Sequence, residues 1–298
     1  MTILIGCSGW SYDDWVGGFY PPELAKRKGV WLEYYARYFP TVEINSTFYH
    51  PPGERQVASW VRKGSRLENF EYSLKMPQSV THEHMVRREW EEAVREAAAF
   101  ERSCIKPLNE AGLLGSVLMQ LSPFFPKNEA NLETLICMLD SLSFLDYSYS
   151  VEFRHPSWLN EEGTMIYPPV AEVLSDRSVA QVLIDGPGPH IHKGGGAGHA
   201  YIRFHGRNYD IWYQGGEKKK EDDFRLNRYD YLYSIEQLGP WIPRIREAEL
   251  NEHVVRVYFN NHARSKAARN ALQLMDLLQI PHEAKEIRPQ DQFTLGCF

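Results

Sequence analysis

Eight short apolar segments alternate with helical segments along the chain, and this alternation restricts the fold more than any other feature. The predicted strands cover residues 3–7, 41–50, 70–76, 116–121, 147–154, 179–185, 199–206 and 253–261. The predicted helices cover about 30–39, 54–62, 89–104, 128–142, 170–175, 229–248 and 263–278. Strands that alternate with helices favour a parallel sheet, and eight such units in a chain of 298 residues are typical of a (β/α)₈ TIM barrel. We therefore expect one α/β domain over 1–298. The alternative is a doubly wound open sheet.

The second predicted strand carries the most informative polar pair. Val42 and Ile44 alternate with Glu43 and Asn45, which places the acid and the amide on one face of the strand. Pro51 and the proline after it end the strand. A carboxylate and an amide are costly to bury without partners, so we expect them to face a polar site. The alternative is a structural network that fixes a loop.

Composition excludes several classes of protein. A hydrophobic content of 43% is ordinary for a globular chain, and a net charge of −6 argues against a dedicated nucleic-acid coat without excluding a local basic groove. The four scattered cysteines form no CxxC pair, so reduced thiols in a cytoplasmic protein are the simplest interpretation. We expect neither a signal peptide nor a membrane span, because no apolar run reaches about 18 residues. The sequence does not determine the oligomeric state.

Polar side chains follow almost every predicted strand. In a barrel the carboxyl ends of the strands meet at one mouth, so these side chains should converge there. Their convergence would form a polar pocket. The residues are Glu43, Asn45, Lys75, Gln120, Glu152, Arg154, His155, Asp185, Arg203, His205, Asn260 and Asn261.

Basic residues in this set predict an anion site. Arg154 and Arg203 carry guanidinium groups that bind phosphate or carboxylate through two hydrogen bonds, and Lys75 adds an ammonium group. We therefore expect the substrate to be phosphorylated or sugar-like. The predicted substrate-binding residues are Asn45, Lys75, Gln120, Arg154, His155, Arg203, Asn260, Asn261, Trp10 and Tyr49.

Three residues are candidates for proton transfer. Glu43, Glu152 and His205 are predicted to be catalytic, because two carboxyls can divide acid and base roles when their pKa values differ. Glu152 lies two residues from Arg154 and should stay ionised, which leaves Glu43 as the acid. The alternative is that the acids and the arginines only neutralise one another.

We expect no metal site, although binding of a divalent ion remains an alternative. Glu43, Glu152, Asp185 and His205 are ligand types that divalent ions use, but no motif fixes their spacing. His190, His192 and His199 lie in or beside a glycine-rich loop at 187–198 and predict at most adventitious metal binding. Another loop, at about 207–223, is polar, and the sequence does not decide whether it is a lid.

Aromatic residues cluster just beyond the predicted strand ends. Trp10 and Tyr49 are the candidates for stacking on a base or a sugar. Packing over the top of the barrel is an equally good interpretation. The same applies to the other aromatics in these loops, Tyr12, Trp15, Phe48, Trp158, Trp212 and Tyr213.

A set of short motifs occurs in order through the whole chain. The motifs are 6–12, 19–21, 42–49, Lys75, 81–82, 120–121, 152–155, 201–206 and 259–262. In these motifs the chain resembles the YecE-like family, a domain of unknown function, with Cys7 where Thr is more usual. The resemblance implies a TIM barrel similar in shape to the xylose isomerase and endonuclease IV group, and it implies no established reaction.

Three functions stay open at this point. The first is a hydrolase or phosphodiesterase acting on a phosphorylated or sugar-like small molecule. The second is a non-catalytic nucleotide or nucleic-acid binding protein, which the family resemblance also suggests through its structural analogy. The third is a glycosidase, which needs two carboxyls about 5–10 Å apart across the sugar.

Overall fold

Eight parallel strands close into a barrel in the order of the sequence. The structure is a computed structural model that describes residues 2–189, 191, 194–212 and 228–287. The last strand closes on the first, with Thr2 opposite Val254 and Cys7 opposite Phe259. The predicted (β/α)₈ fold is therefore confirmed. The strands are β1 Thr2–Cys7, β2 Thr41–Ile44, β3 Glu71–Lys75, β4 Leu114–Gln120, β5 Tyr149–Glu152, β6 Ala180–Asp185, β7 His199–Phe204 and β8 Val254–Phe259.

Helices surround the barrel between the strands. The α-helices are α1 Trp31–Ala36, α2 Ser46–Tyr49, α3 Glu54–Gly64, α4 Met85–Arg87, α5 Trp90–Phe100, α6 Lys106–Glu110, α7 Glu129–Ser141, α8 Pro168–Ser175, α9 Tyr209–Trp212, α10 Ile235–Leu238, α11 Trp241–Asn251 and α12 Lys266–Leu277. The segments Ser79–His84 and Glu101–Ile105 are π-helical. No described helix is long and apolar enough to cross a membrane.

The second strand ends earlier than predicted. It stops at Ile44, and residues 46–49 form the short helix α2 instead of continuing to His50. Asn45 already has helical backbone angles. The Thr47 hydroxyl stabilises the turn by donating to the carbonyl oxygens of Ile44 and Lys75, at 2.9 and 2.6 Å. This side-chain bonding to the main chain replaces the strand ladder that the alternating pattern predicts.

Two other predicted boundaries are wrong. The predicted helix at about 89–104 ends too early, because helical turns continue through Glu101–Ile105 into α6, which carries Pro107 in its first turn. The predicted helix at 229–248 begins only at α10, where Ser234 and Gln237 form a capping box. It is then divided before α11 at Pro240. His82 lies in a π-helical segment.

Polar groups fill much of the barrel interior. The Tyr258 hydroxyl lies 2.6 Å from the hydroxyl of Thr41 and 2.8 Å from that of Ser73. Below them, Arg256 binds both carboxylate oxygens of Glu71, at 2.6 and 2.9 Å. Because these buried polar groups find their partners on other strands, the pairs fix the strands relative to one another.

Some sequence predictions fall outside the described residues. His190, His192, Tyr213 and Cys297 are among them, as is most of the loop at 207–223. The three described cysteines, Cys7, Cys104 and Cys137, are free thiols.

Replacing Tyr258 with Phe should lower the free energy of unfolding by about 1–3 kcal/mol, since two buried hydroxyls each lose a partner while the ring volume is kept. Equilibrium urea denaturation measures the change. Tyr167→Phe is the matched control, because Tyr167 is exposed, and it should change stability by less than about 0.5 kcal/mol. Equal stability of Tyr258→Phe and the parent would contradict a structural role for this hydroxyl.

Candidate active site at the mouth of the barrel

Arg203, on strand β7, lies at the centre of a buried ion cluster. Its Nη2 donates to Glu43 Oε1 at 2.7 Å, and its Nη1 donates to Glu152 Oε2 at 2.5 Å. Arg203 is 1% exposed and both carboxylates are fully buried. Tyr201 completes the cluster by donating its hydroxyl to Glu43 Oε2 at 2.6 Å. One guanidinium therefore bridges β2 and β5 across the barrel.

Both carboxylates are held in the ionised form. Burial by itself raises the pKa of Glu43, but the Arg203 charge and the Tyr201 hydrogen bond outweigh burial, so this pKa lies below its ordinary value. The same balance, with Arg203 and His205 opposing burial, holds the pKa of Glu152 well below its ordinary value. The lowered pKa argues against the predicted role of Glu43 as a proton donor, because an ionised carboxylate has no proton to give.

A chain of hydrogen bonds leads from Glu152 to Asn45, the residue after the second strand. His205 Nε2 lies 3.4 Å from Glu152 Oε1, and Asn260 donates from Nδ2 to His205 Nδ1 at 3.0 Å. Asn45 in turn donates to Asn260 Oδ1 at 3.2 Å. Burial, with the nearby Arg203 charge, lowers the pKa of His205 to about 4. His205 is therefore neutral at pH 7, with its two nitrogens engaged.

Two more predicted residues bind the same carboxylate. Gln120 donates from Nε2 to Glu152 Oε1 at 2.6 Å, and Arg154 donates from Nη1 to the same oxygen at 3.0 Å. Arg154 reaches it from the loop after β5. Glu152 thus accepts hydrogen bonds on both oxygens, which fixes its orientation at the floor of the mouth.

Lys75 differs from the other charged residues of the site. It ends strand β3, is 7% exposed, and holds its Nζ 3.7 Å from the centre of the Phe48 ring. Within the described part of the chain, this amine makes no hydrogen bond or ion pair. Burial, with the like charge of Arg203, lowers the pKa of Lys75 to about 7. A substantial fraction of this amine is therefore neutral at pH 7, unlike an ordinary lysine.

These side chains open into a pocket of about 290 Å³, which we call the mouth pocket. Lys75, Arg154 and Arg228 bring positive charge to it. Among the residues that the structure describes, no Asp or Glu lines it. The pocket therefore favours an anion. Its lining consists of Asn45, Phe48, Tyr49, Lys75, Gln78, His82, Gln120, Pro123, Phe124, Arg154, His205, Arg228, Tyr229 and Asn260.

Three predicted residues lie away from the mouth pocket. His155 accepts a hydrogen bond from the Ser157 main chain and caps a short 3₁₀ helix. Asn261 donates to the Tyr231 carbonyl oxygen at 2.8 Å and is fully buried. Asp185 forms an ion pair with Arg207. None of these three lines the mouth pocket. Asp185 is therefore not brought to Glu43 and Glu152 as a metal ligand.

Trp10 lines a separate cavity of about 330 Å³ on the other side of Asn45, together with Tyr12 and Trp60. Asn45 belongs to the lining of both cavities. Trp10 is therefore next to the mouth pocket and not part of it. Its predicted stacking role stays a prediction.

Several residues of the site are missing from the sequence prediction. Tyr201 lies two residues before Arg203 and four before His205, so all three share one face of the predicted strand. This alternation would have been enough to predict Tyr201 as a site residue. His82 follows Lys75 in the chain and packs its ring edge-on against Phe48 at 4.9 Å. Arg228 follows the last polar loop, and no pattern in the sequence marks it.

No described group of three or more His, Cys, Asp or Glu side chains is arranged to hold a metal ion. The predicted ligands Glu43 and Glu152 instead share the guanidinium of Arg203. His205 lies beside them with its Nδ1 bound to Asn260. The Arg203 guanidinium therefore occupies the position between the two carboxylates that a metal ion would take.

Two relatives of the chain carry the name UPF0759. It is 27% identical over 294 residues to "UPF0759 protein YunF" of Bacillus subtilis (strain 168), covering 98% of this chain and 100% of that protein. It is 31% identical over 195 residues to "UPF0759 protein YecE" of Escherichia coli O157:H7, covering 64% of this chain and 62% of that protein.

Solved structures show the same architecture. A DUF72 family protein (TM1631) from Thermotoga maritima MSB8 matches with a TM-score of 0.76 and 32% identity, over 94% of this chain and 100% of that chain. A DUF72 family protein from Enterococcus faecalis V583 matches with a TM-score of 0.73 and 23% identity, over 97% of this chain and 99% of that chain, which shows the shared fold alone.

The resemblance seen in the sequence motifs extends to nearly the whole chain. The family described as "Protein of unknown function DUF72" matches residues 4–293, a range that includes every strand from β2 to β8 and the whole ion cluster. The chain therefore belongs to the DUF72 family.

Proposed function

We propose that this protein is an enzyme that acts on a small phosphorylated or otherwise anionic substrate bound in the mouth pocket. One observation carries the proposal. A buried lysine with no described ion-pair partner lines a cationic pocket at the carboxyl ends of the barrel strands, where TIM-barrel enzymes place their chemistry. The volume of about 290 Å³ suits a small molecule.

Hydrolysis of a phosphate ester fits these groups. The neutral fraction of Lys75 would accept a proton from the attacking water, and Arg154 would stabilise the charge on the phosphoryl oxygens. Glu43 and Glu152 then act through Arg203 as positioning residues and do not donate protons. His205, neutral and hydrogen-bonded on both sides, would hold the orientation of Glu152 and Asn260.

Nucleotide or nucleic-acid binding without catalysis is the second candidate. Two aromatic side chains on the rim favour it, since Tyr49 is 56% exposed and Phe124 is 81% exposed. Exposed rings beside basic residues stack on bases. Binding of this kind weakens steeply with added salt, because phosphate contacts release counterions.

The glycosidase alternative has little support in this geometry. A glycosidase places its sugar between two carboxyls, one of which carries a proton. Here Arg203 bridges Glu43 and Glu152, and both are ionised. We do not propose this activity.

Phosphate, sugar phosphates and nucleoside monophosphates should raise the melting temperature of the protein in a thermal-shift screen, because a ligand that binds only the native state stabilises it. Arg154→Ala should reduce the ligand-induced shift several-fold. Arg95→Ala is the matched control, since Arg95 is exposed on the outer helix α5, and it should keep the shift.

The same screen separates the two candidates. Stabilisation by small phosphorylated molecules supports the enzyme. Stabilisation by oligonucleotides alone, lost as salt rises, supports the nucleic-acid binding protein and contradicts our proposal. The absence of a shift with every phosphorylated ligand also contradicts it.

The lowered pKa of Lys75 has a consequence for stability. The unfolded chain holds this proton up to its ordinary pKa of about 10.4, whereas the folded protein releases it at about 7. Between these values the unfolded state binds more protons, so the contribution of Lys75 makes stability rise with pH, by up to about 1.4 kcal/mol per pH unit.

Lys75→Met should remove this contribution. Urea denaturation of both proteins between about pH 7 and 10 measures it as the difference between two slopes. Lys106→Met, at an exposed position of α6, should leave the slope of the parent unchanged. Parallel stability curves for Lys75→Met and the parent would show that the Lys75 amine is charged in the folded protein.

A further inference from the structure

Lys75 combines three properties that a nucleophilic amine needs. It is buried, it lines a pocket that is open to small molecules, and its Nζ makes no described hydrogen bond or ion pair. Its main chain is fixed on both sides, because Thr47 Oγ1 donates to the Lys75 carbonyl oxygen at 2.6 Å and accepts from the Lys75 N–H at 3.1 Å. The amine therefore stands at a strand end whose main chain is fixed, and its Nζ has no described hydrogen-bond partner.

The buried ions explain why the amine has no carboxylate partner. Glu43 and Glu152 lie in the same barrel, yet Arg203 binds both of them and Arg154 binds Glu152 again. The charges that act on Lys75 are these two carboxylates and the two arginines. Lys75 in turn acts on His82 in the adjacent π-helical segment, where burial and the Lys75 charge lower the pKa of the imidazole. Because the arginines neutralise the carboxylates, burial is left to favour the neutral amine.

We propose that Lys75 is the nucleophile of a covalent step, in which it forms an imine with the carbonyl carbon of a small anionic aldehyde or ketone. This inference rests on the proposed function, an enzyme for a small anionic substrate, and specifies the substrate class; Lys75 then acts as a nucleophile in place of the general base of phosphate-ester hydrolysis. A carboxylate or phosphate on the same molecule would bind at Arg154 and Arg228, which line the same pocket. Desolvated lysines form such imines with carbonyl substrates.

The step balances without a cofactor. The Lys75 nitrogen forms a bond to the carbonyl carbon while the electron pair of the C=O π bond moves to oxygen, giving a carbinolamine after proton transfer. Loss of that oxygen as one water, with uptake of one proton overall, leaves a protonated imine. The Phe48 ring, 3.7 Å from the amine, shields one side from water and stabilises the cationic imine.

Borohydride trapping tests the proposal on the full chain. The protein is incubated with pyruvate, glyoxylate, dihydroxyacetone phosphate or glyceraldehyde 3-phosphate, reduced with sodium borohydride and analysed by intact mass and peptide mapping. We expect one adduct per chain, located on the peptide that contains Lys75. Labelling of Lys75 should exceed labelling of the exposed Lys106 at least about ten-fold, since the neutral fraction of an ordinary lysine at pH 7 is far smaller.

Two variants separate nucleophilic reactivity from anion binding. Lys75→Arg keeps the positive charge and cannot form an imine, so it should lose the adduct. Lys106→Arg is the matched control and should keep it. Because the parent protein itself is mapped, the result stands even if Lys75→Arg folds poorly.

The pH dependence gives an independent readout. A lysine with a pKa of about 7 should be labelled about ten-fold faster at pH 8 than at pH 6, whereas an ordinary lysine should gain about a hundred-fold. The charged groups that act on the amine are Arg203, Arg154, Glu43 and Glu152. A hundred-fold gain at Lys75 would contradict its assignment as the reactive amine.

The outcomes distinguish this inference from the proposed function. Stabilisation by the phosphorylated ligands without any adduct on Lys75 overturns the imine and leaves the proposed function standing. Adducts spread over exposed lysines, with none on Lys75, also overturn it. Trapping at Lys75 by the oxo acids alone, or by the phosphates alone, supports the inference and identifies which anion the substrate carries.

Discussion

The bridge from Arg203 to Glu43 and Glu152 is the interaction on which the rest of the site depends. It joins strands β2, β5 and β7 at one level of the barrel and buries three charges together. Buried charges are stable only when they are paired and hydrogen-bonded. Here Tyr201, Gln120 and the loop residue Arg154 supply the remaining hydrogen bonds, so the cluster also fixes the floor of the mouth pocket.

This pairing decides which groups are free for chemistry. The two carboxylates, which the sequence makes the obvious catalytic residues, are ionised and held in place. Lys75 lies above them against Phe48, and burial with the Arg203 charge lowers its pKa to about 7. The same arginine that neutralises the carboxylates also repels a proton from Lys75, so one side chain both builds the floor and tunes the amine.

How far the site could be predicted depends on the kind of residue. Lys75, Arg154, Gln120 and Asn260 are found by their position after a strand, because every parallel strand of a barrel points its carboxyl end at one mouth. The same rule predicts His155 at the mouth, but its side chain accepts a hydrogen bond within its own loop and does not line the pocket. The position of a residue in the chain predicts at which end of the barrel it lies. Its hydrogen-bond partner depends on which other strand or loop lies next to it in space.

The sequence by itself determined the barrel, its strand order and the set of polar groups at its mouth, because hydrophobic periodicity and strand-end composition are local properties. The tertiary structure alone decided that Glu43 and Glu152 share one guanidinium, that Asn261 faces away from the pocket and that Lys75 has no described counter-ion. These outcomes depend on distances between strands far apart in the chain. They set the protonation states, and with them the chemistry that we propose.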